Sequence, residues 1–160
     1  MGLIYRYFES KEQVIATLVS DHLEDLQRKL ADAREAPSLR AGLEKVLWCE
    51  HDADVSAPFV VDLFAEAGRN DQIHALVSQV HDVLIAGVTD LIATSPERAH
   101  LAAGLEPQHA AEMVFHAIHG RLFDEVLGRG SSSSGEILSS RVETLRRLWS
   151  LLFPSLSESG

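Results

Sequence analysis

Gly2-Leu3-Ile4-Tyr5-Arg6-Tyr7-Phe8-Glu9-Ser10-Lys11-Glu12-Gln13-Val14-Ile15 is the stretch on which the reading of this chain turns. Its aromatic residues give way to Ser10-Lys11-Glu12-Gln13, which has the form of a capping box. In that device Ser10 accepts from an amide three residues on while Gln13 reaches back to the cap, so a helix starts at Lys11. The apolar stripe Ile15, Leu18, Val19, His22, Leu23, Leu26, Leu30 then advances in steps of three and four, and charge resumes from Asp32 to Glu35 before Pro37. From Lys11 to Arg34 such a helix is about 36 Å long at 1.5 Å per residue. It is a rod that spans most of a small domain.

Working outward, every further segment also reads as helix, and no run alternates apolar and polar residues in the manner of a strand. Pro37 fits the first turn of a second helix with Leu39, Leu43, Val46, Leu47 and Trp48 on its buried face. Ser56 and Pro58 open a third, which Gly68 is suited to end as a left-handed cap. Asn70 or Asp71 caps a fourth that runs from Ile73 to about Thr94, and a loop through Gly104 leads to Pro107. The helix from Pro107 to about Leu127 is apolar around well over half its circumference, as expected of a helix covered on two sides. Gly128 to Gly135 reads as a flexible loop, and a last helix from Glu136 to Phe153 carries the stripe Leu138, Val142, Leu145, Trp149, Leu152 until Pro154 stops it. The fold class is all-α, with about six helices.

Composition narrows the function. A chain of 160 residues, 46% hydrophobic, fits one compact domain. Its formal net charge of -10, from 24 acidic and 14 basic residues, argues against a surface that wraps nucleic acid or lies on an anionic membrane. No apolar run approaches the length of a membrane span, and Met1 to Ser10 lack the order of a signal peptide, so the expected address is cytoplasmic. The lone Cys49 excludes an internal disulfide and a Cys-pair zinc module, and its ordinary role is packing.

The opening segment closely resembles the one by which TetR-family (tetracycline-repressor-like) transcriptional regulators are identified. In that family the recognition helix of a helix-turn-helix ends in an apolar residue, a tyrosine, a variable position, a tyrosine or histidine, and a phenylalanine. Ser-Lys-Glu and a long connector helix follow. Phe64-Ala65-Glu66-Ala67, Gly68-Arg69-Asn70-Asp71 and the two closing apolar helices resemble the family's regulatory core at lower specificity. The resemblance implies a TetR-like regulatory core with a long amino-terminal connector helix and a C-terminal helix pair that forms a dimeric four-helix bundle. It divides the chain into a recognition-helix remnant at 1–10, an effector-binding and dimerisation domain at 11–156 and a disordered tail at 157–160. Tyr5, Tyr7 and Lys11 become the DNA-contacting residues, with Tyr7 and Lys11 on phosphate oxygens. Family members carry two further helices and the start of the recognition helix ahead of this segment. A chain beginning at Met1 is therefore expected to bind DNA poorly, because the recognition helix needs the first helix to brace it.

Two surfaces follow from the same resemblance. Dimerisation falls to Gly120, Phe123, Leu127, Leu138, Val142, Leu145, Trp149 and Leu152, which would hold two recognition helices about 34 Å apart, one turn of DNA. A small-molecule effector is expected among Trp48, Phe59, Phe64, Val80, Leu84, Phe115 and Ile118, with His81, His116 or His119 as polar anchors. Each of these is equally the kind of residue that fills an ordinary core. The implied protein is a ligand-released repressor acting as a homodimer on operator DNA, with no cofactor, metal or membrane partner. Two other classes stay open. The cluster Glu50, His51, Asp52, Asp54 and the i, i+3 pair His116 and His119 could serve a metal or catalytic site, although no His-Glu-x-x-His, Gly-x-Ser-x-Gly or phosphate-cradling loop is present. The apolar stripes could equally bind helices of another protein.

Overall fold

The computed structural model describes residues 11–47, 57–127 and 134–157. The side chains of Lys11, Ala57, Ile118, residues 121–125, residues 134–142 and Ser157 lie outside that description. All described secondary structure is helical: α1 (Lys11–Arg34), α2 (Leu39–Leu47), α3 (Ala57–Ala67), α4 (Asp71–Thr94), a 3-10 turn (Pro96–His100), α5 (Pro107–Val126), α6 (Ser134–Leu152) and the short α7 (Pro154–Ser157). The architecture is all-α, led by the long helix expected from Lys11 to Arg34. α4 is the hub, packing against α1, α2, α3 and α5, while α6 packs on α5.

The helix boundaries have local causes. Ser38, not Pro37, opens α2: its hydroxyl accepts from the Ala41 amide at 3.2 Å, and the Glu97 carboxylate accepts from the Leu39 amide at 3.0 Å. Pro37 therefore precedes the helix instead of starting it. Asn70 caps α4 by accepting from the amides of Gln72 and Ile73 at 3.0 and 3.2 Å. Gly68 is not a left-handed cap; among the described residues the positive-φ glycine is Gly104, at 78° in the loop before α5. The end of α3 is closed instead by Glu66, whose carbonyl accepts from the amides of both Arg69 and Asn70. The last long helix stops ahead of Pro154 as expected, at Leu152, and Pro154 then begins the short α7.

Two apolar clusters form the interior. The main one holds Leu26, Leu30 and Ala33 of α1, Leu39, Leu43 and Val46 of α2, Val88, Leu91 and Ile92 of α4, Ala110, Ala111 and Val114 of α5, and Leu152 and Phe153. The second holds Ile15 and Val19 of α1 with Ala67 and Ile73, flanked by Leu63, Leu76 and Val77. Val80 touches both clusters. α1 is thus shared, its carboxyl-terminal half in one core and its amino-terminal half on the other. Lys29, 9% exposed, keeps its charge beside this core by pairing with Asp25 at 2.6 Å, and Lys29 in turn holds that carboxyl below its ordinary range.

α4 is long and apolar enough to cross a bilayer by length and composition alone, which corrects the expectation that no segment approaches a span. Here its apolar residues Val88, Leu91 and Ile92 are buried in the main core, and Asp82 and Asp90 lie on its outer side.

Two helix contacts run through glycines. A Cβ on Gly87 of α4 would lie 2.5 and 2.6 Å from the terminal methyls of Leu30, so Leu30 sits in a notch that only glycine leaves open. A Cβ on Gly42 of α2 would lie 2.8 Å from the Ala33 carbonyl oxygen. Both contacts clamp the last two turns of α1. Arg34 adds an ion pair to Asp90 of α4 at 3.0 Å. Gly87→Ala is predicted to destabilise the fold, because overpacking costs about 1–3 kcal/mol against a helix-propensity gain of about 1 kcal/mol. Leu30→Ala should cost about 2–5 kcal/mol. In the double variant the Gly87→Ala penalty should vanish, since the shortened side chain vacates the notch; strictly additive effects in urea unfolding would contradict this packing.

Candidate functional site

An aromatic and histidine cluster lies where α1, α3, α4 and α5 converge. Phe115 of α5 is its centre: the His119 ring stacks on it at 3.8 Å between centroids, and the His81 ring from α4 meets it edge-on at 4.7 Å. His116 adds an edge contact with Phe115 at 5.4 Å, and Phe64 of α3 stands edge-on to His119 at 6.1 Å. The α5 contributors come together because positions 115, 116 and 119 fall on adjoining parts of one helix face. His22 of α1 adds a small electrostatic contribution at His119.

The hydrogen bonds fix how these rings are presented. His119 Nδ1 donates to the Phe115 carbonyl at 3.0 Å and His116 Nδ1 donates to the Glu112 carbonyl at 2.7 Å. Because a carbonyl only accepts, the proton is on Nδ1 in both rings, and Nε2 of a neutral ring is left as an acceptor. His81 Nδ1 faces the Asp82 carboxylate at 3.4 Å. Burial is the main force holding the His119 imidazole below its ordinary titration range; the Phe115 carbonyl opposes it, and the neighbouring His81, His116 and His22 reinforce it. The site is therefore an apolar, aromatic surface on which burial favours the neutral His119 ring, with Nε2 as its acceptor.

A cleft of about 660 Å³ lies elsewhere, between the end of α1, the start of α2 and the end of α4, lined by residues including Pro37, Ser38, Thr94 and Glu97. Its polar groups are engaged already: Arg34 with Asp90, Ser38 with the Ala41 amide, and Glu97 with the Leu39 amide. It offers a ligand little that is unpaired. Among the described residues no group of three or more His, Cys, Asp or Glu is placed to hold a metal ion.

Comparison with known proteins adds a distant relationship. The chain is 24% identical over 127 residues to the HTH-type transcriptional regulator UidR of Escherichia coli (strain K12), and equally so to UidR of Escherichia coli O157:H7 and of Shigella flexneri. This chain is similar to a transcriptional regulator. The match takes in 77% of the chain, which spans 63% of the length of these curated relatives. No family model matches the sequence, and no solved structure matches it.

Of the residues expected to contact an effector, Phe64, His81, Phe115 and His119 are brought together. Val80 and Leu84 pack against the main core, with Val80 also on the second cluster, and Phe59 is half-buried on α3. Trp48 and the side chain of Ile118 lie outside the described residues, as do Tyr5, Tyr7 and the Lys11 side chain. Glu50, His51, Asp52 and Asp54 lie outside them as well.

Among the expected dimer residues, Leu145 and Leu152 are each 2% exposed within one protomer, so their side chains are already covered. Trp149 packs on Phe153 at 4.4 Å, whereas Leu127 is 65% exposed and nothing lies within 4 Å of a Cβ built on Gly120. The side chains of Phe123, Leu138 and Val142 are outside the description. Leu151, 68% exposed, is apolar surface that the stripe along the last helix did not single out, and Met113 of α5 is 42% exposed. His22 was also legible only as a member of the α1 stripe, where its one polar ring among aliphatic neighbours was the available signal.

His119 gives a pH dependence of definite sign. Its folded-state value is depressed, so the fold favours the neutral ring; that stabilisation is complete above the unfolded value, near 6.5, and is lost as pH falls through the folded value. His119→Gln should therefore flatten the acid side of a plot of urea midpoint against pH below about 6.5. An unchanged slope would show that His119 does not titrate across unfolding.

Proposed function

We propose that this chain is the effector-binding and dimerisation part of a ligand-responsive transcriptional regulator of the TetR type, a repressor that releases operator DNA when a small molecule binds among its helices. In this reading residues 1–10 belong to the end of a recognition helix, 11–156 form the regulatory domain and 157–160 are a tail. The single observation that carries it is the placement of α1. Its last turns are locked at Leu30 and Ala33, while its first turns ride on the second cluster through Ile15 and Val19. The aromatic and histidine cluster reaches that same half of α1 through His22. The distant likeness to an HTH-type transcriptional regulator supports the same reading.

The mechanism is a lever. Residues leading toward DNA stand at the free end of α1, and its fulcrum is the notch at Gly87. A ligand seated on His119 and Phe115 favours one angle of the free half over another, and it shifts DNA affinity only by its preference between those states, about 1.4 kcal/mol for each tenfold change. Tyr5, Tyr7 and Lys11 are the proposed DNA contacts, and a second copy of the chain supplies the other half-site. Leu127 and Leu151 supply apolar surface for that pairing.

A form bearing a complete helix-turn-helix is expected to retard a short pseudo-palindromic DNA in gel-shift assays. DNA affinity that stays constant across a broad small-molecule screen would count against effector control. In sedimentation velocity the chain should run as a dimer, and the double variant Leu127→Glu, Leu151→Glu should weaken self-association by roughly tenfold or more while helical circular dichroism is retained. A monomeric wild-type chain that co-purifies with an unrelated protein would favour the helical interaction module instead.

A further inference from the structure

We propose that His119 Nε2, framed by Phe64, His81 and Phe115, accepts a hydrogen bond from a neutral hydroxyl carried on an aromatic ring, so that the effector belongs to the phenol class. The proposal rests on the effector reading above and gives it a chemistry. His119 Nδ1 is committed to the Phe115 carbonyl at 3.0 Å, which fixes the tautomer and leaves Nε2 as the ring's acceptor. Among the described residues Nε2 has no partner. A half-buried acceptor on an apolar surface gains most when a donor arrives with it out of water.

The charge state of the ligand follows from what surrounds the ring. Among the described residues the groups acting on His119 are His22 from α1, His81 from α4, and His116 and the Phe115 carbonyl from α5, with neither an ammonium nor a carboxylate among them. The nearby Asp82 carboxylate is 80% exposed and faces His81 Nδ1. An anion would need a cation or a protonated ring, and the buried ring resists protonation. A cation would lose its hydration without a counter-charge. A neutral donor pays neither cost. A metal ion is disfavoured because the described His, Cys, Asp and Glu residues form no ligating group of three.

The flat shape follows from the stacking already present. His119 lies on Phe115, and His81 and Phe64 present their rings at steep angles, so a further ring extends the same edge-and-face packing. Phe64 keeps 41% of its surface exposed, which such a ring would cover.

The test uses the purified 160-residue chain with four monosubstituted benzenes: phenol and toluene, which match in size, and the ions benzoate and benzylammonium. Imidazole nitrogen NMR follows His119 Nε2 directly. Phenol should shift that resonance saturably and bind about fivefold more tightly than toluene, the worth of one net hydrogen bond, with benzoate and benzylammonium weaker than phenol. In His119→Phe the advantage of phenol over toluene should disappear while toluene still binds, which shows the site intact. Should that variant not fold, the phenol-to-toluene ratio and the Nε2 shift in the unaltered chain decide the matter. Equal binding of phenol and toluene, tighter binding of either ion, or zinc ions captured at His119 would overturn the proposal. Phenol bound at His119 in a longer form that shows no ligand-dependent release of DNA would leave this site standing and remove the regulatory reading.

Discussion

The seating of Leu30 over Gly87 is the contact on which the rest of the fold depends. A helix as long as α1 has no reason of its own to adopt one position along a neighbour, because aliphatic stripes slide past each other at little cost. A side chain dropped into a notch where a Cβ would be only 2.5 Å away fixes both the register and the separation of α1 and α4. The Gly42 contact with the Ala33 carbonyl fixes α2 in the same way. Once these helices are placed, Arg34 meets Asp90 and Glu97 meets the Leu39 amide without further choice. The ion pair is about half exposed on both sides, so it selects geometry more than it adds stability.

That packing separates the chemistry of the fold into two regions. Near the clamp, polar groups are consumed by capping and pairing, and the cleft there is open yet chemically spent. Away from it, where α3, α4 and α5 meet, the polar atoms include the imidazole nitrogens of His116 and His119, whose Nδ1 protons are used on backbone carbonyls of their own helix. The difference decides which region suits a ligand.

Much of this architecture was legible in the sequence, because helices announce themselves by period and punctuation. The stripe from Ile15 to Leu30, the Asn70 cap and the loop through Gly104 each state a local physical requirement, and the helix bounds follow from them. Where the reading slipped, a tertiary contact had replaced a local one. Pro37 has the right φ for a helix start, but the Glu97 carboxylate from a distant turn satisfies the Leu39 amide and moves the start onward. Gly68 could adopt a left-handed conformation, but the Glu66 carbonyl closes the turn without it. The site was legible only in part for the same reason. The resemblance named Phe64, His81, Phe115 and His119 among the effector candidates, yet no pattern within one helix could show that these four meet at one point. The stripe of the last helix named Leu145 and Leu152, which face the protomer's own core, and passed over Leu151, which does not.

The two-core arrangement also determines how α1 could transmit a signal. The half of α1 held by Leu26, Leu30 and Ala33 is buried in the large cluster, and rotating it means extracting several aliphatic side chains at once. The amino-terminal half is held chiefly by Ile15 and Val19, against the smaller cluster of Ala67 and Ile73. Resistance to tilting therefore falls toward the amino terminus, and a modest free-energy difference is enough to choose between angles of that end. Val80 touches both clusters and lies one residue before His81, so under the proposed lever a ring beside His81 would act on the side chain common to both clusters. A ligand at the opposite end of the rod, in the cleft by Arg34, would press on the part least able to move.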